Sequence, residues 1–263
     1  MDLQLTGKRA LVVGGTKGIG RAAAVALARE GALVAVAARH DVDAVADAIS
    51  AESGGNVTGF TVDTRDDESV RAMVDAVAAS LGGVDILVNT AAAPWNAAKN
   101  TVASQTSDDA MREEFEEKVL GYLRTARAAA PHMTAAGWGR IVNISGLGAR
   151  KSGSVGQTVR NISVAAITKN LADELGPKGV NVTVVHPGLT RTDAVDERIE
   201  ARAAETGRSP EDVDREMAAN IIGRTVTAAE LADVIVFLAS PRSIAITGDA
   251  VSAGGGTPGI VTY

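Results

Sequence analysis

Between Arg9 and Arg21 the chain reads "RALVVGGTKGIGR": an apolar run, a cluster of glycines, and a helical pattern continuing from Ile19 to about Glu30. A strand that passes through a glycine loop straight into a helix is the opening of a βαβ unit. Gly14, Gly18 and Gly20 permit a tight turn, close backbone approach to a pyrophosphate and close packing of helix on strand. The amides at the helix start then face the anion, with Thr16, Lys17 and Ile19 in the same loop. The segment predicts a nucleotide phosphate at the carboxyl end of the first strand.

The rest of the chain repeats this unit. Further strands are expected at "LVAVAAR", "VTGFTVD", "VDILVNT", "GRIVNIS", "VNVTVVHPG" and "AITGDAVSA". Helical patterns fall between them, notably "SDDAMREEFEEKVLGYLRTARAAAPHM" and "ISVAAITKNLADELGP". Continuous Val, Ile and Leu runs joined by helices indicate a parallel sheet covered on both faces. Right-handed crossovers make this a Rossmann-like, doubly wound α/β fold. No Pro/Ser/Gly linker or internal repeat divides the 263 residues, so a single domain, 1–263, is expected. A polar helical segment at about 192–225 follows "HPG" without a strand, a placement that predicts a lid over the ligand crevice.

Composition removes several alternatives. The chain has no cysteine, which excludes disulfides, thiolate metal sites and cysteine nucleophiles. His40, His132 and His186 never fall at a metal-ligand spacing, so no metal is expected. A net charge of −6 with scattered basic residues argues against nucleic acid as a partner. The first residues enter a strand pattern without the features of a signal peptide, and the longest apolar runs are too short to span a bilayer. A cytoplasmic protein acting on a small molecule, with no membrane partner, is expected.

The spacing Gly-x-x-x-Gly-x-Gly resembles that of the short-chain dehydrogenase/reductase family, and the resemblance runs along nearly the whole chain. Asp63, beside Thr64 in "TVDTRD", matches the acidic residue which that family uses at the adenine. Asn89 and Ala91 in "VNTAA" match its Asn-Asn-Ala-Gly segment, with Thr90 and Ala92 substituted. Pro187 and Gly188 match its Pro-Gly segment, and Thr190 and Thr192 stand where the family meets the nicotinamide. The resemblance implies a nicotinamide dinucleotide and a dimer or tetramer of the chain. Ala38 occupies the position where an acidic residue would bond the 2′-hydroxyl of NAD, and Arg39 follows it. Arg39 with Lys17 suits a 2′-phosphate, which favours NADP(H) over NAD(H). The alternative is that both are solvated surface cations.

In this family a Tyr moves the substrate proton and a Lys four residues later lowers the Tyr pKa. A Ser positions the carbonyl, and an Asn on the preceding long helix supports a water. The stretch "VAAITKNLADELGPKGVNVTVVHPG" resembles the family's post-catalytic helix without a gap; counting back from it puts Gln157 at the Tyr position and Asn161 at the Lys position. Tyr122 and Tyr263, the chain's two tyrosines, lie elsewhere. Ser145 is the candidate Ser, although the family's usual position is the next one, Gly146; a strand-end Ser bonded to backbone is the equal alternative. Lys118 stands at the Asn position before "VLG". The Asn helix thus carries a Lys while the Lys helix carries Asn161, a reciprocal swap that brings an amine to the same pocket from the opposite helix. Partly desolvated, Lys118 would act as proton donor or oxyanion stabiliser. The alternative is an ordinary ion pair with Glu114, one turn away.

Other candidates carry two readings each. Arg160 suits a carboxylate, a phosphate or a cofactor oxygen, or else a subunit interface. His186 suits acid/base work or a structural place at a strand end. Trp95 would border the entrance, and Met217, Ile221 and Ile222 would roof an apolar pocket behind a helix starting at Ser209-Pro210. Three functions remain open. They are an NADP(H)-dependent reductase of a carbonyl or activated double bond with a non-standard proton relay, a catalytically silent NADP(H)-binding protein or subunit, and a non-redox lyase or isomerase.

Overall fold

The apolar runs form strands because Val, Ile, Leu and Ala, flanked by glycine and polar turns, fit a pleated surface buried on both faces. In the computed structural model, which describes residues 1–92 and 103–259, the strands are β1 (Arg9–Val13), β2 (Leu33–Ala38), β3 (Val57–Thr61), β4 (Ile86–Asn89), β5 (Gly139–Ile144), β6 (Val180–Pro187), β7 (Thr190–Arg191), β8 (Val226–Thr227) and β9 (Ala250–Ala253). Seven of them form one sheet in the order β3-β2-β1-β4-β5-β6-β9, every neighbouring pair parallel. The order reverses between β1 and β4, which pair in the register Val13↔Asn89. The loops leaving these two strands diverge to opposite faces and open the crevice where such sheets bind ligands.

Helices cover both faces. On one side α1 (Gly18–Arg29), α2 (Val42–Ser53) and α9 (Ala228–Ala239) bury Ala24, Leu27, Ile49 and Ile235 against Val12, Val34 and Val88. On the other, α3 (Asp67–Leu81), α5 (Gly121–Ala136) and α6 (Val155–Leu175) bury Val74, Ala129 and Leu171 against Leu11, Leu87 and Val182. The segment after β7 folds into α7 (Asp193–Thr206) and α8 (Pro210–Ala218), with Ser209 capping α8 and Pro210 in its first turn. These two helices share a small core of their own, Val195, Ile199, Ala203 and Val213. Among the described residues no helix is long and apolar enough to cross a membrane.

Two helices depart from the periodicity of the sequence. The one expected from Ile162 begins at Val155, because Ser154 accepts the amide of Gln157 and caps a turn that glycine and β-branched residues disguise. The long helix expected from Ser107 onward is broken into α4 (Asp108–Glu114), a π-helical turn over Phe115–Leu120, and α5. Such a wide turn shifts the facing of every residue in it, and it is common at functional sites. Trp95 lies outside the described residues.

Candidate active site

A cleft of about 340 Å³ opens at the carboxyl ends of β1, β2, β3 and β4. Gly14, Thr16, Lys17, Arg39, Asp63, Thr64 and Ala91 line it, together with His40, Arg65 and Glu117. Gly14 has φ +83°, and a Cβ there would lie 2.5 Å from the Ala91 amide nitrogen, so the first turn of the loop accepts only glycine. The start of α1 carries no side-chain cap and no acidic residue in its first turn. Its amides are left facing outward beside exposed Lys17, as an anion site requires. Basic groups, an uncapped helix start and Asp63 at the far wall fit a dinucleotide. Arg39 Nη2 lies 4.0 Å from Glu117 Oε1, both partly exposed.

Not every residue expected at the nucleotide reaches this cleft. Ile19 packs against the core beneath the loop. Asn89 is fully buried: its Nδ2 donates to Asn143 Oδ1 at 3.0 Å and its Oδ1 accepts from Thr125 Oγ1 at 2.8 Å. Asn143 Nδ2 in turn donates to Thr168 Oγ1 at 3.0 Å. This chain of amides and hydroxyls pins β4, β5, α5 and α6 together under the site. Sequence reasoning missed Thr125, Asn143 and Thr168; Asn143 inside the apolar strand run "RIVNIS" was the available signal.

A second cavity, about 900 Å³, lies beyond the ends of β5 and β6 and is closed on one side by α7 and α8. Ser145, Gln157, Arg160, Asn161, Pro187, Gly188 and Thr192 all line it, with Met217. The i, i+3, i+4 spacing of Gln157, Arg160 and Asn161 puts them on one face of α6. Thr190 stays behind that wall, bonded by its hydroxyl to the Gly188 carbonyl at 3.2 Å. The expected roof is only partly there. Met217 faces the cavity, whereas Ile221 and Ile222 are exposed and rest against Gly255 and Gly256, where their amides find carbonyl partners.

Lys118 and Asn161 come together from opposite helices. Lys118 Nζ donates to Asn161 Oδ1 and to the Ser145 carbonyl, both at 3.0 Å. It is 5% exposed and does not form part of either cavity wall. The π turn is what aims it inward, one residue after Glu117, which lines the smaller cleft. Burial lowers its pKa to about 7, and the nearby Arg160 charge adds to the effect against the opposing pull of Glu114. Glu114 pairs with Arg160 rather than with Lys118.

Ser145 Oγ donates to the Asn161 carbonyl at 3.0 Å, so this hydroxyl is oriented by the helix it faces. Asn161 Nδ2 points toward the glycine turn after β5, where a Cβ on Gly146 would come within 3.1 Å and one on Gly148 within 3.2 Å. Tyr122 Oη donates to the Ile144 carbonyl at 3.0 Å, and burial pushes its pKa up, so it fixes α5 to β5 and stays protonated. His186 Nδ1 accepts the Gly146 amide at 3.4 Å. Burial first, then the charges of Arg150 and Lys118, lower its pKa to about 4, which makes it a neutral strut near pH 7. Among the described residues no cluster of His, Cys, Asp and Glu is placed to hold a metal ion.

The fold and the paired cavities define a dinucleotide-binding α/β protein, and comparison with known proteins gives the family. The sequence profile of the family described as Enoyl-(Acyl carrier protein) reductase matches residues 13–257. The chain is 35% identical to the short-chain reductase protein NovJ of Streptomyces niveus, over 95% of this chain and 93% of that protein. It is 33% identical to the 3-oxoacyl-[acyl-carrier-protein] reductase FabG of Pseudomonas aeruginosa, over 97% of this chain and 98% of that one. The crystal structure of L-sorbose reductase from Gluconobacter frateurii, in complex with NADPH and L-sorbose, superposes with a TM-score of 0.90 at 28% identity, covering 99% of this chain and 100% of that one. The chain belongs to the short-chain dehydrogenase/reductase family.

Proposed function

We propose that this protein is an NADP(H)-dependent reductase of a carbonyl or activated double bond, in which Lys118 and Asn161 do the work of the family's usual Tyr and Lys. The observation that carries the reading is the buried contact of Lys118 Nζ with Asn161 Oδ1 at 3.0 Å, across the wall of the larger cavity. A reduced nicotinamide, when bound, supplies the hydride. The chain's part is to hold that cofactor, orient the acceptor and manage one proton.

The smaller cleft supports the nucleotide assignment: Lys17, Arg39 and Asp63 all line it, the two bases to meet a 2′-phosphate and the carboxylate to meet the adenine end. In the larger cavity, Asn161 Nδ2 meets negative charge growing on the substrate oxygen, joined by the Ser145 hydroxyl when it turns its one proton from the Asn161 carbonyl. An ammonium donating into Asn161 Oδ1 polarises that amide and makes its Nδ2 a stronger donor. With a pKa of about 7, Lys118 Nζ switches between ammonium and amine near neutral pH, so its protonated form strengthens the Asn161 donor, while the proton taken up by the reduced oxygen comes from water in the cavity. The lid helices α7 and α8 keep bulk water from this wall. The subunits assemble as a dimer or tetramer.

One observation favours a second reading, a silent NADP(H)-binding protein. Lys118 stands behind Asn161 and Ser145 rather than on the cavity wall. A titration with NADPH and NADH, followed by nicotinamide fluorescence, and a carbonyl turnover screen of the parent protein and Lys118→Met separate the two. The reductase reading expects NADPH-selective binding in both proteins and a fall in turnover of about 10²–10⁴-fold in the variant. Equal turnover in the two proteins eliminates Lys118 from the chemistry; binding without turnover in the parent establishes the silent reading.

A further inference from the structure

The wall of the larger cavity is unevenly charged. Among the described residues, those with charge that line it are Lys151, Arg160 and Arg198, with no described carboxylate beside them. Lys151 and Arg198 are exposed at the mouth. Arg160 is set deep in α6, with 11% of its side chain exposed. Its Nη1 is taken by Glu114, while its Nε is buried with no hydrogen-bond partner. A buried donor left without an acceptor is costly and rare in folded proteins, so the Arg160 charge is only partly met by Glu114. Nε is turned inward, away from the open cavity, so an anion in the cavity meets Arg160 through the part of its side chain that lines the wall. Gln157, one turn before Arg160, and Asn161, the next residue after it, extend the polar wall, and Leu189, Val195 and Met217 form an apolar wall.

We propose that the substrate is a carbonyl compound bearing an oxyanion, a carboxylate foremost, which Arg160 anchors while Lys151 and Arg198 draw it in at the mouth. The proposal rests on the reductase reading for the fate of the carbonyl, and adds the charge of the molecule that carries it. Anchoring at Arg160 places the anion one helical position from Asn161, so the reducible group is left to face Asn161 Nδ2 and Ser145 Oγ. The same anion offsets the Arg160 charge that helps depress Lys118, so the amine holds its proton more firmly once substrate is seated.

The test is calorimetric titration of the full chain, nucleotide-free and NADP⁺-loaded, with two matched pairs of ligands. The pairs are 4-oxopentanoate with its methyl ester, and dihydroxyacetone phosphate with dihydroxyacetone. The acid is expected to bind at least about tenfold more tightly than the ester, the size of one charged hydrogen-bonded contact. That preference should shrink in Arg160→Lys, which keeps a cation for Glu114 but loses the guanidinium, and in Lys151→Met/Arg198→Met, which leaves the buried pair intact. A preference confined to the phosphate pair supports the oxyanion site and assigns it to phosphate esters. Equal binding of charged and neutral partners, or an undiminished preference in both variants, overturns the proposal. So does the failure of any anion to bind up to about 10 mM, beyond which a specific contact has little meaning. Charge preference without NADPH binding would count against the nucleotide reading alone, and NADPH binding without charge preference against the oxyanion alone.

Discussion

The two cavities are made of different material. The nucleotide cleft is built from backbone: a glycine turn at φ +83°, an uncapped helix start, and strand ends held in a fixed parallel register. The larger cavity depends on side chains: Ser145 at the end of β5 and Gln157, Arg160 and Asn161 on the face of α6 line it, and Lys118 of the π turn is bonded behind them. Backbone geometry follows from the fold, so the first site is held by everything that holds the sheet. The second depends on the register of two helices against one strand. The sharpest way to break the first alone is Gly14→Val, whose Cβ would fall 2.5 Å from the Ala91 nitrogen and 2.7 Å from Thr90 Oγ1. Overpacking of this kind costs about 1–3 kcal/mol in stability, and NADPH binding should vanish while circular dichroism still reports a folded α/β protein. A variant that binds NADPH normally would show that the loop is not the cradle.

The second site breaks differently, because its parts are paired. Lys118→Asn leaves Asn161 Oδ1 with only the longer Ser145 hydroxyl contact at 3.3 Å, and Asn161→Lys sets a second ammonium against the first. The double variant restores one lysine and one asparagine in exchanged places. Neighbouring, interdependent groups give coupling energies of about 0.5–3 kcal/mol, so each single change should lower the urea midpoint and the double change should recover much of the loss. Additive losses would mean that the two residues share a location but not a role.

Lys118 also leaves a signature in the pH dependence of stability. Its folded pKa, about 7, lies below the ordinary lysine value of 10.5, because burial penalises the ammonium. Between these two values the unfolded chain binds the proton more readily, so unfolding takes up a proton and stability rises with pH. The destabilisation is fully present below about pH 7 and is relieved as pH climbs toward 10.5. In Lys118→Met that rise should be missing, a difference on the order of a few kcal/mol between neutral and alkaline solution. Parallel stability curves for the two proteins would place an ordinary, solvated lysine at this position.

How much of this was legible in the sequence follows the same division. The strand–glycine–helix signal at Gly14, Gly18 and Gly20 fixed the first crossover, and runs such as "LVAVAA" and "VNVTVV" marked buried parallel strands, since each rests on local pattern alone. Lys118 opposite Asn161 was legible only through the family resemblance, and the contact is present at 3.0 Å. The π turn at Phe115–Leu120 was not legible: "FEEKVL" reads as ordinary helix, and the wider turn that turns Lys118 inward shows only in the folded chain, where Nζ meets Asn161 and the Ser145 carbonyl. The early start of α6 was hidden because "SGSVGQTVRN" is poor in helix formers, and a single cap by Ser154 outweighs them. Gly146, which stands where the family usually has its Ser, has a spatial reason too, since a side chain there would crowd the Asn161 amide.

One residue touches both halves, and it sets the smallest effect. Glu117 lies in the π turn beside Lys118, lines the nucleotide cleft, and sits 4.0 Å from Arg39. If Arg39 receives the 2′-phosphate, it must leave Glu117 to do so, and the carboxylate is left near a dianion. Glu117→Gln removes both the competing partner and the repulsion. The pair is half in solvent, so its strength is about 0–1 kcal/mol, and NADPH should bind up to about fivefold more tightly in the variant. NADH, which brings no 2′-phosphate, should gain much less. The gain should shrink as salt is raised, because screening weakens an exposed pair first. Equal gains for the two nucleotides would locate the effect in the cleft's general charge rather than at Arg39, and a loss for NADPH would make Glu117 a ligand of the nucleotide instead of a rival to it.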